Sequence, residues 1–115
     1  MTVTIYHNPR CSKSRQALEL LRDRGIEPIV VEYLKTPPDS ETLGAVLKKL
    51  GVNPQEVMRT NEEPYKAARN QIQAMDAGGQ LDWLAANPAV LQRPIVVNGE
   101  RARIGRPPES VLEIL

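Results

Sequence analysis

The sequence predicts an α/β domain on a mixed four-stranded sheet, ordered β-α-β, a helical insertion, then β-β-α. Two observations carry most of that prediction. Within the first 33 residues an apolar strand, a helix-period stretch and a second apolar run follow one another. Such a crossover is normally right-handed and makes its two strands parallel. Near the C-terminal end, Asn98-Gly99 follows the apolar run 94–97 and precedes a return strand at 101–104, which signals a type I′ hairpin and hence an antiparallel pair. The insertion falls within about 36–92.

Each element has its own signature. In 2–6, Val3 and Ile5 share a face at the strand period of two. Over 13–24, Ala17, Leu18 and Leu21 share a helical face, and Gly25 after Arg22 and Arg24 is the expected stop. Residues 28–33 form an apolar run, expected to be a buried strand. Asp39 reads as an N-cap ahead of Leu43, Val46, Leu47 and Leu50, with Gly51 closing that helix. Asn53-Pro54 starts a short helix with Pro at its first position. Residues 62–87 read as patchily helical, interrupted at Gly78-Gly79 and stopped by Pro88. Strands at 94–97 and 101–104 follow, then a last helix over 109–115 presenting Val111, Leu112 and Leu115.

A length of 115 residues predicts one domain spanning 1–115. No apolar segment approaches the roughly 20 residues that span a bilayer, and none resembles a signal peptide. A cytoplasmic monomer is expected. Fifteen Lys and Arg against 14 Asp and Glu leave a net charge of +1, which argues against bulk binding to nucleic acid or an anionic membrane. With one Trp, three Tyr and no Phe, a stacking platform for single strands is not expected.

Cys11 is the only cysteine, which excludes an internal disulfide or a thiolate zinc cluster. His7 is the only histidine, so no metal site is expected. Cys11 stands between the first strand and first helix, among Arg10, Ser12, Lys13, Ser14 and Arg15. A helix N-terminus and nearby cations favour the thiolate, the nucleophilic form. A free thiol with pKa about 8.5 is only about 3% thiolate at pH 7. Becoming mostly thiolate takes about 2.7 kcal/mol, of which a helix terminus supplies at most about 2 kcal/mol. Arg10, Arg15, His7 and the Ser14 hydroxyl are candidates for the remainder; the alternative is a buried, inert cysteine. Ser14 stands where a dithiol oxidoreductase carries its second cysteine, so redox chemistry at Cys11 requires an external thiol.

Arg59, Arg93 and Arg106 lie at breaks between elements, and guanidinium forks suit tetrahedral oxyanions. The predicted order is the thioredoxin-like arrangement, in which the loops before the third strand and after the fourth approach the first βα loop. That would bring Arg93 and Arg106 to Cys11 and make Arg93-Pro94 a cis bond.

Three segments resemble the glutaredoxin-coupled arsenate reductase family: Ile5-Tyr6-His7-Asn8-Pro9-Arg10-Cys11-Ser12-Lys13-Ser14-Arg15, Arg93-Pro94-Ile95-Val96-Val97 with Asn98-Gly99, and Ala102-Arg103-Ile104-Gly105-Arg106-Pro107-Pro108-Glu109 through Leu115. The match is nearest to the family's short, chromosomally encoded branch, which lacks a longer C-terminal tail. The segment from Lys66 to Gln80 departs from the family's usual pattern. The resemblance implies Cys11 as nucleophile, Arg59, Arg93 and Arg106 as the oxyanion-binding trio, and His7 and Ser14 tuning the thiolate. Asn8 would belong to the same active loop. It also implies arsenate as substrate, glutathione as co-substrate and glutaredoxin as partner, with no bound cofactor. Two other functions share this pattern: a glutathione-dependent thiol/disulfide reductase, and an Spx-type regulator that docks on RNA polymerase.

Overall fold

The computed structural model describes residues 2–115. They form two compact units, one from the segment up to Thr36 together with Arg93–Leu115, the other from Pro37–Gln92.

In the first unit, β1 (Val3–His7), α1 (Ser12–Asp23), β2 (Ile29–Glu32), β3 (Ile95–Asn98) and β4 (Arg101–Ile104) precede a 3₁₀ segment, Pro108–Ile114. The sheet order is β2-β1-β3-β4. β1 runs parallel to β2 and antiparallel to β3, and β3 and β4 form the hairpin. This is the expected mixed sheet. On one face, Val3, Ile5 and Val96 pack with Ala17 and Leu21 of α1 and with Val111 and Ile114. Each Val, Leu and Ile among them contributes about 1.5–3 kcal/mol on leaving water.

Three details differ from the sequence expectations. β2 is an edge strand rather than a buried one: Ile29 is 55% and Val30 37% exposed. A short apolar run does not distinguish an edge from a central position; among the described residues only β1 flanks it. The hairpin turn is shifted by one residue. Asn98 pairs with Arg101, so Gly99 and Glu100 form the loop, and among the described residues only glycines have positive φ. Gly99 at φ 62° in the first central position makes the turn type II′, not I′. The last helix has a 3₁₀ rather than an α period. Side chains three apart eclipse in a 3₁₀ helix, so Pro108, Val111 and Ile114 turn inward and Leu115 is exposed.

Asn98 gains a specific role from that shift. It is buried in the strand and its Nδ2 donates to the Ile114 carbonyl at 2.6 Å. Asn98→Ala is expected to cost about 1–2 kcal/mol, read as a lower urea midpoint at unchanged slope.

The second unit holds α2 (Ser40–Leu50), a 3₁₀ turn at Pro54–Val57, α3 (Glu63–Ala74), α4 (Ala77–Ala86) and a 3₁₀ turn at Pro88–Val90. Asp39 caps α2 by accepting from the Thr42 N–H, and Gly51 ends it at φ 73°. Gly78-Gly79 does not interrupt a helix, contrary to expectation. The break falls at Met75-Asp76, and both glycines lie in the first turn of α4, where Asp76 accepts from the Gly79 N–H at 2.8 Å. First-turn amides lack intrahelical partners, so a capping aspartate outweighs the poor helix propensity of glycine there. No helix among the described residues is long and apolar enough to cross a membrane.

Candidate active site

The first unit brings Cys11, His7, Asn8, Ser14, Arg93 and Arg106 together; Arg59 lies in the second unit. Asn8 to Cys11 form a tight turn, in which the Cys11 N–H donates to the Asn8 carbonyl at 3.0 Å. The Asn8 side chain accepts from the Arg10 N–H at 3.0 Å, the local bond that suits asparagine to turns. The turn delivers Cys11 to the N-cap of α1, whose first turn carries no acidic residue.

The thiol is half-buried. Burial pushes its pKa up. The Ser14 N–H, the Arg93 side chain and the Lys13 N–H hydrogen-bond the sulfur, the Arg106 charge adds to them, and the balance lies below the ordinary thiol range. Arg106 Nη2 sits 3.5 Å from Cys11 Sγ, while its Nε donates to the Arg93 carbonyl at 2.8 Å. The Gly105 N–H donates to the Pro94 carbonyl at 2.9 Å, which ties the two arginine-bearing loops together. Arg93-Pro94 is cis, as expected; Arg106-Pro107 is cis as well, which had no sequence signal.

Ser14 reaches the sulfur through its backbone N–H. Its hydroxyl lies 2.6 Å from His7 Nδ1 and accepts from the Asn8 N–H at 3.0 Å. All three residues are buried. Burial lowers the His7 pKa; Glu32, its cross-strand neighbour, raises it, and Arg22 and Arg15 lower it. The net direction is down, so the ring is predominantly uncharged at neutral pH. His7 therefore connects to the thiol loop through Ser14 and Asn8 rather than by a positive charge. Arg15 donates from Nη1 to the Pro9 carbonyl at 2.9 Å, bracing the turn. Arg59, in its own unit, donates from Nη1 to Gln92 Oε1 at 3.2 Å.

Two contributors escaped the sequence reading. The Lys13 amide acts through the backbone, which no side-chain pattern reveals. Gly105 is buried beside the Pro94 ring; its position between the fourth strand and Arg106 was the only available signal. Among the described residues no group of three or more His, Cys, Asp or Glu is placed to hold a metal.

Because Arg106 stabilises the thiolate, Arg106→Ala is expected to move the pH midpoint of Cys11 alkylation upward. Reaction with iodoacetamide at pH 7 should slow several-fold, while the plateau at high pH, where any thiol is ionised, should persist.

A lone cysteine at a helix N-terminus, with two guanidinium groups on its sulfur and a cis-proline strand beside it, places the protein in the thioredoxin-like class of single-thiol proteins. The chain belongs to the ArsC family, whose sequence model matches residues 6–114. It is 50% identical over 114 residues to the "Uncharacterized protein YfgD" of Escherichia coli (strain K12), covering 98% of this chain and 96% of that protein. It is 44% identical over 116 residues to the arsenate reductase of Haemophilus influenzae, with both chains fully covered. Its fold superimposes on the arsenate reductase from Vibrio cholerae with a TM-score of 0.94 at 46% identity, covering 100% of this chain and 98% of that one.

Proposed function

We propose that this protein reduces arsenate to arsenite through a covalent Cys11–arsenate adduct that is resolved by glutathione and glutaredoxin. The observation that carries the proposal is that Arg93 and Arg106 both engage the Cys11 sulfur. Guanidinium groups there lower the thiol pKa and remain in place to hold an oxyanion brought to it. A disulfide substrate would need the thiolate but not two anion forks. Arg59 is assigned as the third oxyanion ligand, by its correspondence to the family trio.

The Cys11 thiolate attacks arsenic(V), forming a sulfur–arsenic bond while one arsenate oxygen leaves, protonated, as water. The glutathione thiol then attacks Cys11 sulfur. The sulfur–arsenic electron pair goes to arsenic, arsenite departs, and a Cys11–glutathione disulfide remains. Glutaredoxin takes the glutathione and returns the thiolate. Arsenic gains two electrons, and two thiols become one disulfide. Ser14 and His7 position the loop during these steps, with Asn8 holding its turn. The external reductant follows from Ser14 standing in place of a second thiol. We place the reaction in the cytoplasm, where glutathione keeps thiols reduced, and assign it to a monomer.

The arginine assignment is tested by arsenate-dependent NADPH oxidation coupled through glutathione, glutaredoxin and glutathione reductase. Arg93→Ala is expected to lower kcat/KM for arsenate about 10²–10³-fold, the usual cost of removing one preorganised oxyanion donor. A loss of only two- or threefold would rule out the assigned role.

A further inference from the structure

Beside the thiol loop runs a groove of about 260 Å³. Asn8, Pro9 and Arg10 of the thiol loop line it together with Glu32, Leu34 and Lys35, at and just beyond the end of β2. Asn8 to Cys11 is a single hydrogen-bonded turn, so the Cys11 Cα lies within about 7 Å of the Asn8 Cα. The groove therefore adjoins the loop that carries the thiol, although Cys11 itself does not line it.

The charges around the groove have a pattern. Lys35 Nζ and Glu32 Oε1 are 3.6 Å apart, so opposite charges adjoin in the lining. Arg10, from the thiol loop, also lines the groove, and Pro9 and Leu34 add apolar lining. Leu34 is 47% exposed. The complement is a short, flexible ligand with an ammonium and a carboxylate close together at one end, a second carboxylate at the other, and net charge −1. Glutathione has that layout, with its thiol in between. The Lys35–Glu32 pair is exposed, and exposed pairs are weak enough to exchange for a ligand's charges.

We propose that this groove is the docking site for glutathione. The γ-glutamyl ammonium meets Glu32, the adjoining carboxylate meets Lys35, the glycyl carboxylate meets Arg10, and the ligand's sulfur is held toward Cys11. This deepens the arsenate reductase reading and rests on its choice of glutathione as second thiol.

The test needs no arsenate. Reduced protein is mixed with oxidised glutathione, with 3,3′-dithiodipropionate (dianionic, no ammonium) or with 2-hydroxyethyl disulfide (neutral). In each case the Cys11 thiolate attacks one sulfur, the disulfide bond breaks, a mixed disulfide forms on Cys11, and a thiolate leaves. Rates are followed by mass spectrometry. The ratio of the rate constant for oxidised glutathione to that for the neutral disulfide should fall about five- to tenfold in Lys35→Glu. In Glu32→Gln the ratio of oxidised glutathione to dithiodipropionate should fall about fivefold, because only the former carries an ammonium. Unchanged ratios in both variants would overturn the site. So would a Glu32→Gln effect equal for the two charged disulfides, which is general electrostatic steering. Failure of arsenate turnover would leave these ratios intact, so the two proposals can fail separately.

Discussion

Cys11→Ser is expected to reduce arsenate turnover by at least about 10³-fold, the scale on which enzymes lose rate when their nucleophile is removed. A serine hydroxyl at the N-cap of α1 can accept the same amide hydrogen bonds, so the local geometry should survive. It cannot ionise near neutrality, however, and the cations that favour a thiolate then have no anion to stabilise. The fold should be untouched: Cys11 is half-buried and outside the apolar cluster of the first unit. Matching circular dichroism and thermal melts, alongside the lost activity in the coupled assay, would separate chemistry from unfolding. Substantial turnover in Cys11→Ser would remove the thiol from the mechanism.

Gly105→Ala is expected to damage both stability and the site. A Cβ there would lie 2.7 Å from the Pro94 Cγ, 3.3 Å from Val111 Cγ1 and 3.4 Å from the Ala17 Cβ. Pro94 is a fully buried ring, with no flexible end to swing away, so backbone must move. Overpacking of this kind costs about 1–3 kcal/mol, or roughly 4–8 °C in melting temperature per kcal/mol for a domain near this size. The movement would fall on the two residues adjoining the thiolate's arginines, Pro94 after Arg93 and Gly105 before Arg106. Turnover should therefore drop even at temperatures where the variant is fully folded. A folded variant with wild-type kcat/KM would show that the two loops tolerate displacement.

The parts of this protein most legible in its sequence were those fixed by local chemistry. Gly25, Gly51 and Asp39 mark helix ends because positive φ and unpaired amides demand particular residues there, and the structure uses all three that way. The βα crossover could be read from two apolar runs around a helical stretch, and the terminal hairpin from one apolar run and a turn dipeptide. What misled was context that only pairing supplies. The apolar run at Ile29–Glu32 does not reveal that it lies at an edge, and Asn98-Gly99 does not reveal which residue stays in the strand. Period mattered too: Val111 fits both an α- and a 3₁₀-helical face, and only packing selects Ile114 over Leu115. In the candidate site, Cys11, Arg93 and Arg106 stood out because their residue types carry chemistry. Ser14 was expected to act on the thiolate through its hydroxyl; the hydroxyl instead bonds His7 and Asn8 and the backbone N–H serves the sulfur, an arrangement that depends on how β1 and α1 meet. Gly105 carried no signal beyond its position before Arg106, because its role is the absence of a side chain.

The most direct test is to measure arsenite itself. Wild-type protein, arsenate, glutathione, glutaredoxin and glutathione reductase are combined with NADPH, and arsenic species are separated and quantified. One arsenite should appear per NADPH oxidised, with both ceasing when glutathione is omitted. No arsenite, or NADPH oxidation that does not depend on arsenate, would contradict Cys11 as the nucleophile of an arsenate reductase.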